Sequence, residues 1–267
     1  MIKNIKLGAD PELFLERDGE IISAEGLVGG TKDKPKAISK DGHFIQEDNV
    51  MVEFNIPPSE TEEQFVDGIN FVKDFLVVLA SLQNAVLNIC ASAILNKKWL
   101  NTDQAKMFGC DPDFNVWTKL VNDAPYALTQ LRTAGGHIHV GYKDPSMKTS
   151  ELIVQAMDAV LGIESVILDK DDRRKEMYGK AGAFRFKDYG VEYRTLSNFW
   201  IRDDASIKWA FNKTMKAIEL VNSGAIHIIL EKYSEEIPEI INTNNREKAI
   251  DLTLKMDKLI KNELIKK

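Results

Sequence analysis

Cysteine is nearly absent from the 267-residue sequence, which has only Cys90 and Cys110, in unlike surroundings. That excludes a disulfide framework and fits a reducing compartment. Long hydrophobic runs are missing too. The longest, such as Phe75 to Ala80, fall far short of a bilayer span. The N-terminus, MIKNIKLGADPEL, has no apolar signal-peptide core. Positive charge is not in excess: a net charge of -6 argues against a nucleic-acid-binding surface. Neither GxxxxGK[ST] nor a GxGxxG after a strand occurs, so a P-loop or Rossmann nucleotide site is excluded. There is no internal repeat and no linker of inter-domain character. We expect a soluble cytoplasmic protein with one catalytic domain over residues 1–267.

Histidine is scarce as well, and two of the four, His137 and His139, sit two residues apart in the glycine-flanked run Gly135–Gly141. In a strand, residues i and i+2 project from the same face, about 7 Å apart. Period-2 patterning marks further strands at Ile5–Leu15, His43–Asn55 and Gly182–Phe199. Pro11 cannot donate to a ladder, so its strand is expected at an edge or bulged there. Period-3.6 patterning marks helices. The first is capped by Ser59 or Thr61 and buries Phe65, Ile69, Val72, Leu76 and Leu79. The second runs Ser150–Leu168. A third starts at Asp203 or Asp204 and ends at Gly224, and the last, Arg246–Lys267, has Ile250, Leu254, Asp257, Ile260 and Leu264 on one side. Val86–Ala91 reads equally as the first helix's last turns or as a strand. Strand pairs broken by long helices, without a βαβ rhythm, indicate an α+β fold: a mainly antiparallel sheet backed by helices, with C-terminal helices from about residue 203.

Four strand segments hold charge where a half-buried strand should hold apolar residues. They are Asp10-Pro11-Glu12, Glu53 within Val52–Asn55, the His137/His139 strand, and Glu192-Tyr193-Arg194. Uncompensated inward acids cost several kcal/mol each unless paired or bound to cations, so the bland reading is a set of buried salt bridges. Taken together, Asp10, Glu12, Glu53, His137 and Glu192 form an oxygen-rich ligand set that suits Mg²⁺ or Mn²⁺ better than Zn²⁺. Arg185, Arg194 and one of Arg173 or Arg174 add guanidinium for an anion. Divalent ions plus arginines are the equipment of phosphoryl transfer from a nucleotide. Gly26–Lys36, with its glycine pair and three lysines, reads as a connector or as a loop that closes over ligand.

The stretches GADPELFL, VEFNIPP, GGHIHVG and YGKAGAFRFKDYGVEYRTLSNFW resemble the phage-type carboxylate–amine ligases (COOH.NH2 ligase type 2, amidoligase) of the glutamine synthetase and glutamate–cysteine ligase superfamily. They extend from residue 8 to residue 200. The resemblance implies a curved antiparallel sheet like the glutamine synthetase catalytic domain, with ATP and Mg²⁺ or Mn²⁺ on its concave face and helices outside. By that likeness Asp10, Glu12, Glu53, His137 and Glu192 are metal ligands, with Glu47 or Asp48 as a further acid before Glu53. His137 also lies near the substrate carboxylate. His139, Arg185 and Arg174 attend the nucleotide phosphates. Arg185, Glu192 and Arg194 are catalytic, with Arg194 on the substrate carboxylate or acyl phosphate.

The implied reaction is phosphoryl transfer from ATP to a carboxylate, then attack by an amine. The implied partners are small-molecule or peptide carboxylates and amines, with no nucleic acid and no membrane. Glutamine synthetase takes part of its ammonia site from an N-terminal domain of a neighbouring subunit. The chain as given opens directly on the sheet, so an amine larger than ammonia is an equal expectation. Substrate-specific contacts are expected from Glu25–Lys36 and from Cys110-Asp111-Pro112-Asp113, where Cys110 reads as a packed thiol. The alternatives are a metal-dependent hydrolase, a guanidino kinase, and a catalytically silent nucleotide-binding phage protein.

Overall fold

A computed structural model describes residues 1–106, 113–122 and 129–265. Cys110, Asp111 and Pro112 lie outside the described residues. The strands are β1 (Lys6–Arg17), β2 (Glu20–Ile22), β3 (Lys36–Ala37), β4 (Phe44–Asp48), β5 (Met51–Asn55), β6 (Val86–Asn88), β7 (Ser92–Ile94), β8 (Phe114–Asn115), β9 (Leu131–Thr133), β10 (Gly136–Gly141), β11 (Ala183–Lys187) and β12 (Gly190–Tyr193). Ten form one open sheet with the order β3-β4-β5-β1-β10-β12-β11-β8. In addition, β2 and β6 pair with β1, and β7 and β9 make a separate ribbon. Every paired register is antiparallel.

Alternation sorts the side chains of this sheet. Leu7, Ala9 and Leu13 of β1, Val52 and Phe54 of β5, Ile138 and Val140 of β10, and Val191 and Tyr193 of β12 are buried in one cluster with the helices. Those helices are α1 (Glu62–Leu82), α2 (Asp103–Lys106), α3 (Met147–Met157), α4 (Ile163–Leu168), α5 (Asp204–Ser223), α6 (Ala225–Tyr233), α7 (Glu236–Thr243) and α8 (Arg246–Ile265), with a π-helical turn, Asp158–Gly162, joining α3 to α4. The residues between the apolar ones face the other way, and that second face holds the charged groups.

Thr61 caps α1 by accepting the Gln64 N–H, while Gln64 returns a bond to the backbone of Glu60. Phe65, Ile69, Val72 and Leu76 are buried as the spacing requires. Each such burial contributes about 1.5–3 kcal/mol. Asp203 caps α5, and Gly224 closes it in a left-handed conformation.

Four expectations change in detail. Val86–Asn88 is a strand, paired with β1. The helix over 150–168 is interrupted by the π turn. α8 buries Ala249, Leu252, Met256 and Ile260 and leaves Ile250 and Leu254 exposed, because its neighbours contact the adjacent stripe. β1 is central, not an edge. Pro11 falls between the Ile56-to-Ala9 hydrogen bond and the Glu12–Glu53 pair, so only one link to β5 is lost. Among the described residues no helix is long and apolar enough to cross a membrane.

Candidate active site

Register gathers the polar face. Asp10 lies opposite His137, Glu12 opposite Glu53, and His139 opposite Glu192, which is itself opposite Arg185. Residues from five strands thus meet on adjacent rows. All but His139 line a cavity of about 170 Å³ that also includes Lys32, Asp48, Asp113, Tyr178, Lys187 and Arg194, and His139 lines the cavity beside it.

Two triads of donor atoms stand out among the described residues: Asp10, His139 and Glu192, and Glu12, Asp48 and Glu53, each with its atoms within 4.8 Å of one another. In the first, Asp10 Oδ1 lies 3.0 Å from His139 Nε2, yet both atoms lack a hydrogen-bond partner. Two buried donors converging without hydrogen-bond alignment is what a shared cation requires. Glu192 is surrounded by positive groups: Arg194 pairs with Oε1, Lys187 Nζ is 3.1 Å from Oε2, and Arg185 is 3.6 Å away. Burial pushes the Glu192 and Asp10 carboxyls up, but the charges around them win. Arg194 and the two histidines hold Glu192 down at about 2 against burial and Asp10, and His139 and His137 hold Asp10 well below its usual range. Burial pushes His139 down, but Asp10 and Glu192 together outweigh it and leave its pKa raised.

In the second triad the positive groups are outweighed: Arg194 and Arg174 pull on Glu12 but do not offset burial and the neighbouring acids. Burial and then Asp48 push Glu12 up to about 7, against a backbone N–H from Gly135 at 2.6 Å. Burial, then Asp10, Asp48 and Glu12, raise Glu53 well above its usual value. These are crowded acids that ionise together only beside a cation. With oxygen in excess and one imidazole between them, both triads fit Mg²⁺ or Mn²⁺.

The geometry refines several sequence expectations. Of the two acids before Glu53, Asp48 joins the site. The Glu47 carboxylate instead accepts N–H groups from Gly26, Val28 and Gly29 and anchors the preceding loop, Gly26–Lys36. From that loop Lys32 reaches the cavity, while Glu25 accepts the Thr102 hydroxyl.

His137 is in neither triad. Its Nδ1 is 3.3 Å from Asp10 and 3.4 Å from Arg194, and burial and Arg194 keep its pKa low. The glycines of this strand admit the protein's own groups: a Cβ on Gly135 would stand 2.4 Å from the His137 ring, and one on Gly136 would meet Ser197 O at 2.3 Å. Arg174 turns its guanidinium to the carbonyls of Ala134, Thr195 and Arg194, bracing the cavity floor. Arg173 is outside, bonded to Ser92 O.

Sequence reasoning missed Lys187 and Tyr178. Lys187 shares the face of Arg185 by simple alternation and was legible. Tyr178, in an irregular loop, left no signal. Asp113, foreseen only as part of a segment, binds Arg194 Nε at 3.2 Å.

Residues 125–238 match the family model described as phage phiEco32-like COOH.NH2 ligase-type 2. The resemblance read from the sequence is borne out over that segment, which holds His137, His139, Arg185, Glu192 and Arg194. No curated protein matches the chain. Among solved structures, a GmaS/ADP complex is 12% identical, with a TM-score of 0.42, covering 97% of this chain and 65% of that one. GmaS without ligand is 10% identical, with a TM-score of 0.41, covering 92% and 66%. The chain therefore spans about two thirds of the length of those structures, and likenesses this distant support no inference about activity.

Proposed function

We propose, starting from the carboxylate–amine ligase match over residues 125–238, that the chain is an ATP-dependent ligase that forms an amide through an acyl phosphate. One observation supports this most. Two oxygen-rich triads lie side by side on a sheet face that also presents Arg185, Lys187 and Arg194.

In this reading the nucleoside of ATP occupies a cavity of about 530 Å³ beside His139, lined by Tyr142, Tyr189, Asn4 and Asn55. The phosphates point toward His139, Arg185 and Lys187. Divalent ions held by the two triads would neutralise phosphate oxygens and favour an in-line geometry. Arg194, fixed between Glu192 and Asp113, holds the substrate carboxylate. A carboxylate oxygen forms a bond to the γ-phosphorus as the bond to ADP breaks. The amine nitrogen then bonds the acyl carbon, phosphate leaves, and the nitrogen gives up a proton. Preorganised guanidinium and ammonium groups meet the charge that shifts between oxygens at both steps.

The test is a trapping assay. The purified chain is incubated with ATP, Mg²⁺, hydroxylamine and panels of amino acids, peptides and other carboxylates. The reading requires ADP and a hydroxamate in equal amounts, dependent on Mg²⁺ and on one class of carboxylate. ADP release indifferent to every carboxylate, or amide hydrolysis without nucleotide, would overturn it.

A further inference from the structure

Behind the site lies a buried acid that this chemistry does not use. Asp158 has no exposed surface and starts the π-helical turn between α3 and α4. Its Oδ1 accepts the Tyr193 hydroxyl at 2.7 Å and lies 3.2 Å from the Thr195 hydroxyl. Its Oδ2 accepts the Trp117 indole N–H at 2.7 Å. No cation is among these hydrogen-bond partners, to which the Gly182 backbone N–H is added, and Lys175 acts on the carboxylate only at longer range. Burial pushes it up to about 6 against those donors. Such a group is costly unless fully satisfied.

What the donors belong to is informative. Tyr193 and Thr195 flank Arg194 on either side in sequence. Trp117 belongs to the segment that carries Asp113, and Asp113 is the acid on Arg194 Nε. Asp158 therefore ties together the two pieces of chain that meet at the Arg194 guanidinium. Neighbouring glycines are fitted to the network: a Cβ on Gly162 would stand 3.0 Å from the Tyr193 hydroxyl, and one on Gly182, left-handed at φ +72°, would stand 2.6 Å from the Trp117 ring. The widened turn supplies the register. The N–H of Ile163 reaches back five residues to the Asp158 carbonyl, leaving the side chain directed at the sheet.

The geometry points to Asp158 as a positioning residue that sets the Arg194 guanidinium from behind the sheet, through Tyr193 and Thr195 on one side and Trp117 and Asp113 on the other. Its consequence for substrate binding rests on the ligase reading; the positional effect itself does not.

The test reads Arg194 directly. Side-chain N–H spectra of the ¹⁵N-labelled full chain resolve arginine Nε and tryptophan indole signals, with Arg194 assigned by its loss in Arg194→Lys. In Asp158→Asn the Trp117 indole and Arg194 Nε signals should both move by more than a linewidth. Those of Arg17 and Arg202, which bond elsewhere, should stay. An Arg194 signal that stays while the Trp117 indole moves would overturn the proposal. Trp117→Phe keeps the carboxylate and decides the matter if the Asn variant does not fold: Arg194 should move there too, and its staying in the folded variant is equally fatal. With a carboxylate found by trapping, kcat/KM for it should fall roughly tenfold in Asp158→Asn while the KM for ATP holds, as expected for a misplaced clamp. Loss of the trapping reaction in the wild type would sink the ligase reading and leave the spectral result standing.

Discussion

The two acid triads are built from the same kind of residue on the same sheet, yet their charge is handled in opposite ways. Asp10 and Glu192 lie among two histidines, Arg185, Lys187 and Arg194, and are held ionised. Glu12, Asp48 and Glu53 lie mainly among one another, and Glu12 and Glu53 are held toward the protonated form. In the first group the negative charge is already offset without a metal ion, although Asp10 Oδ1 and His139 Nε2 still lack hydrogen-bond partners. The second group is complete only with a metal ion. The difference comes from register: the row through His139 and Glu192 ends on Arg185, while the row through Glu12 and Glu53 ends on the neutral Gln46.

The largest expected effect breaks the first group. On the ligase reading, Glu192→Gln should lower turnover by about a hundredfold or more, since it removes a carboxylate of the first triad that also holds Arg194. It should also cost stability, on the order of 2–3 kcal/mol, because the buried Arg194 loses one of its two carboxylates and keeps only Asp113. Thermal unfolding and trapping assays on the same sample check both halves. Wild-type turnover would remove Glu192 from the site.

The second group should answer with the opposite sign in stability. Glu53→Gln replaces a buried acid whose ionisation burial and its acidic neighbours oppose, and should stabilise the metal-free protein by about 1 kcal/mol at neutral pH and above, while abolishing most turnover. The Mg²⁺-induced rise in Tm should shrink in the same variant. A destabilised metal-free variant would show that the second group is not under repulsion.

How much of this was legible is clearest from Asp48. Alternation along each strand is a local property, so the face shared by Asp10 and Glu12, by His137 and His139, and by Glu192 and Arg194 followed from spacing alone. Which of Glu47 and Asp48 joins Glu53 depends on parity across the turn at Asn49-Val50, where Asn49 is left-handed at φ 53°. That is a property of pairing, which one strand's residues do not contain. Arg174 and Tyr178 come from an irregular loop and Asp158 from a helix with one extra residue in a turn, where no period applies. The second helix was found by its repeat, but the repeat hid its interruption.

Without divalent ions the two groups should also set opposite pH slopes. Glu12 has a folded value of about 7 against an ordinary 4.5. Between those values the folded state binds the extra proton, so stability falls as pH rises. Glu192 is depressed from 4.5 to about 2. Its contribution is full above 4.5 and is lost as pH falls toward 2. In EDTA, Tm should therefore decline from about pH 5 toward 7 through the second group. Saturating Mg²⁺ should flatten that decline, because the acids are then ionised in both states. A Tm difference between Mg²⁺ and EDTA that does not grow over this range would mean that Glu12 and Glu53 titrate normally.

The smallest effect sharpens the comparison by touching one group only. The Tyr189 hydroxyl lies 2.5 Å from His139 Nδ1, with the rings stacked 5.9 Å apart. For Nε2 to bind an ion it must be unprotonated, which puts the imidazole proton on Nδ1, where the Tyr189 oxygen accepts it. Such a partner fixes tautomer and ring orientation together. Tyr189→Phe keeps the stacking and deletes the acceptor. Because Tyr189 is 45% exposed, water replaces part of what is lost. Mn²⁺ affinity should then weaken by about tenfold, the low end for such outer partners, with stability changed by less than about 0.5 kcal/mol. Mn²⁺ titrations followed by electron paramagnetic resonance should show one class of ion weakened and the other unchanged. Equal weakening of both would mean that the two triads act as a single cluster, and that the charge difference between them ends once metal is bound.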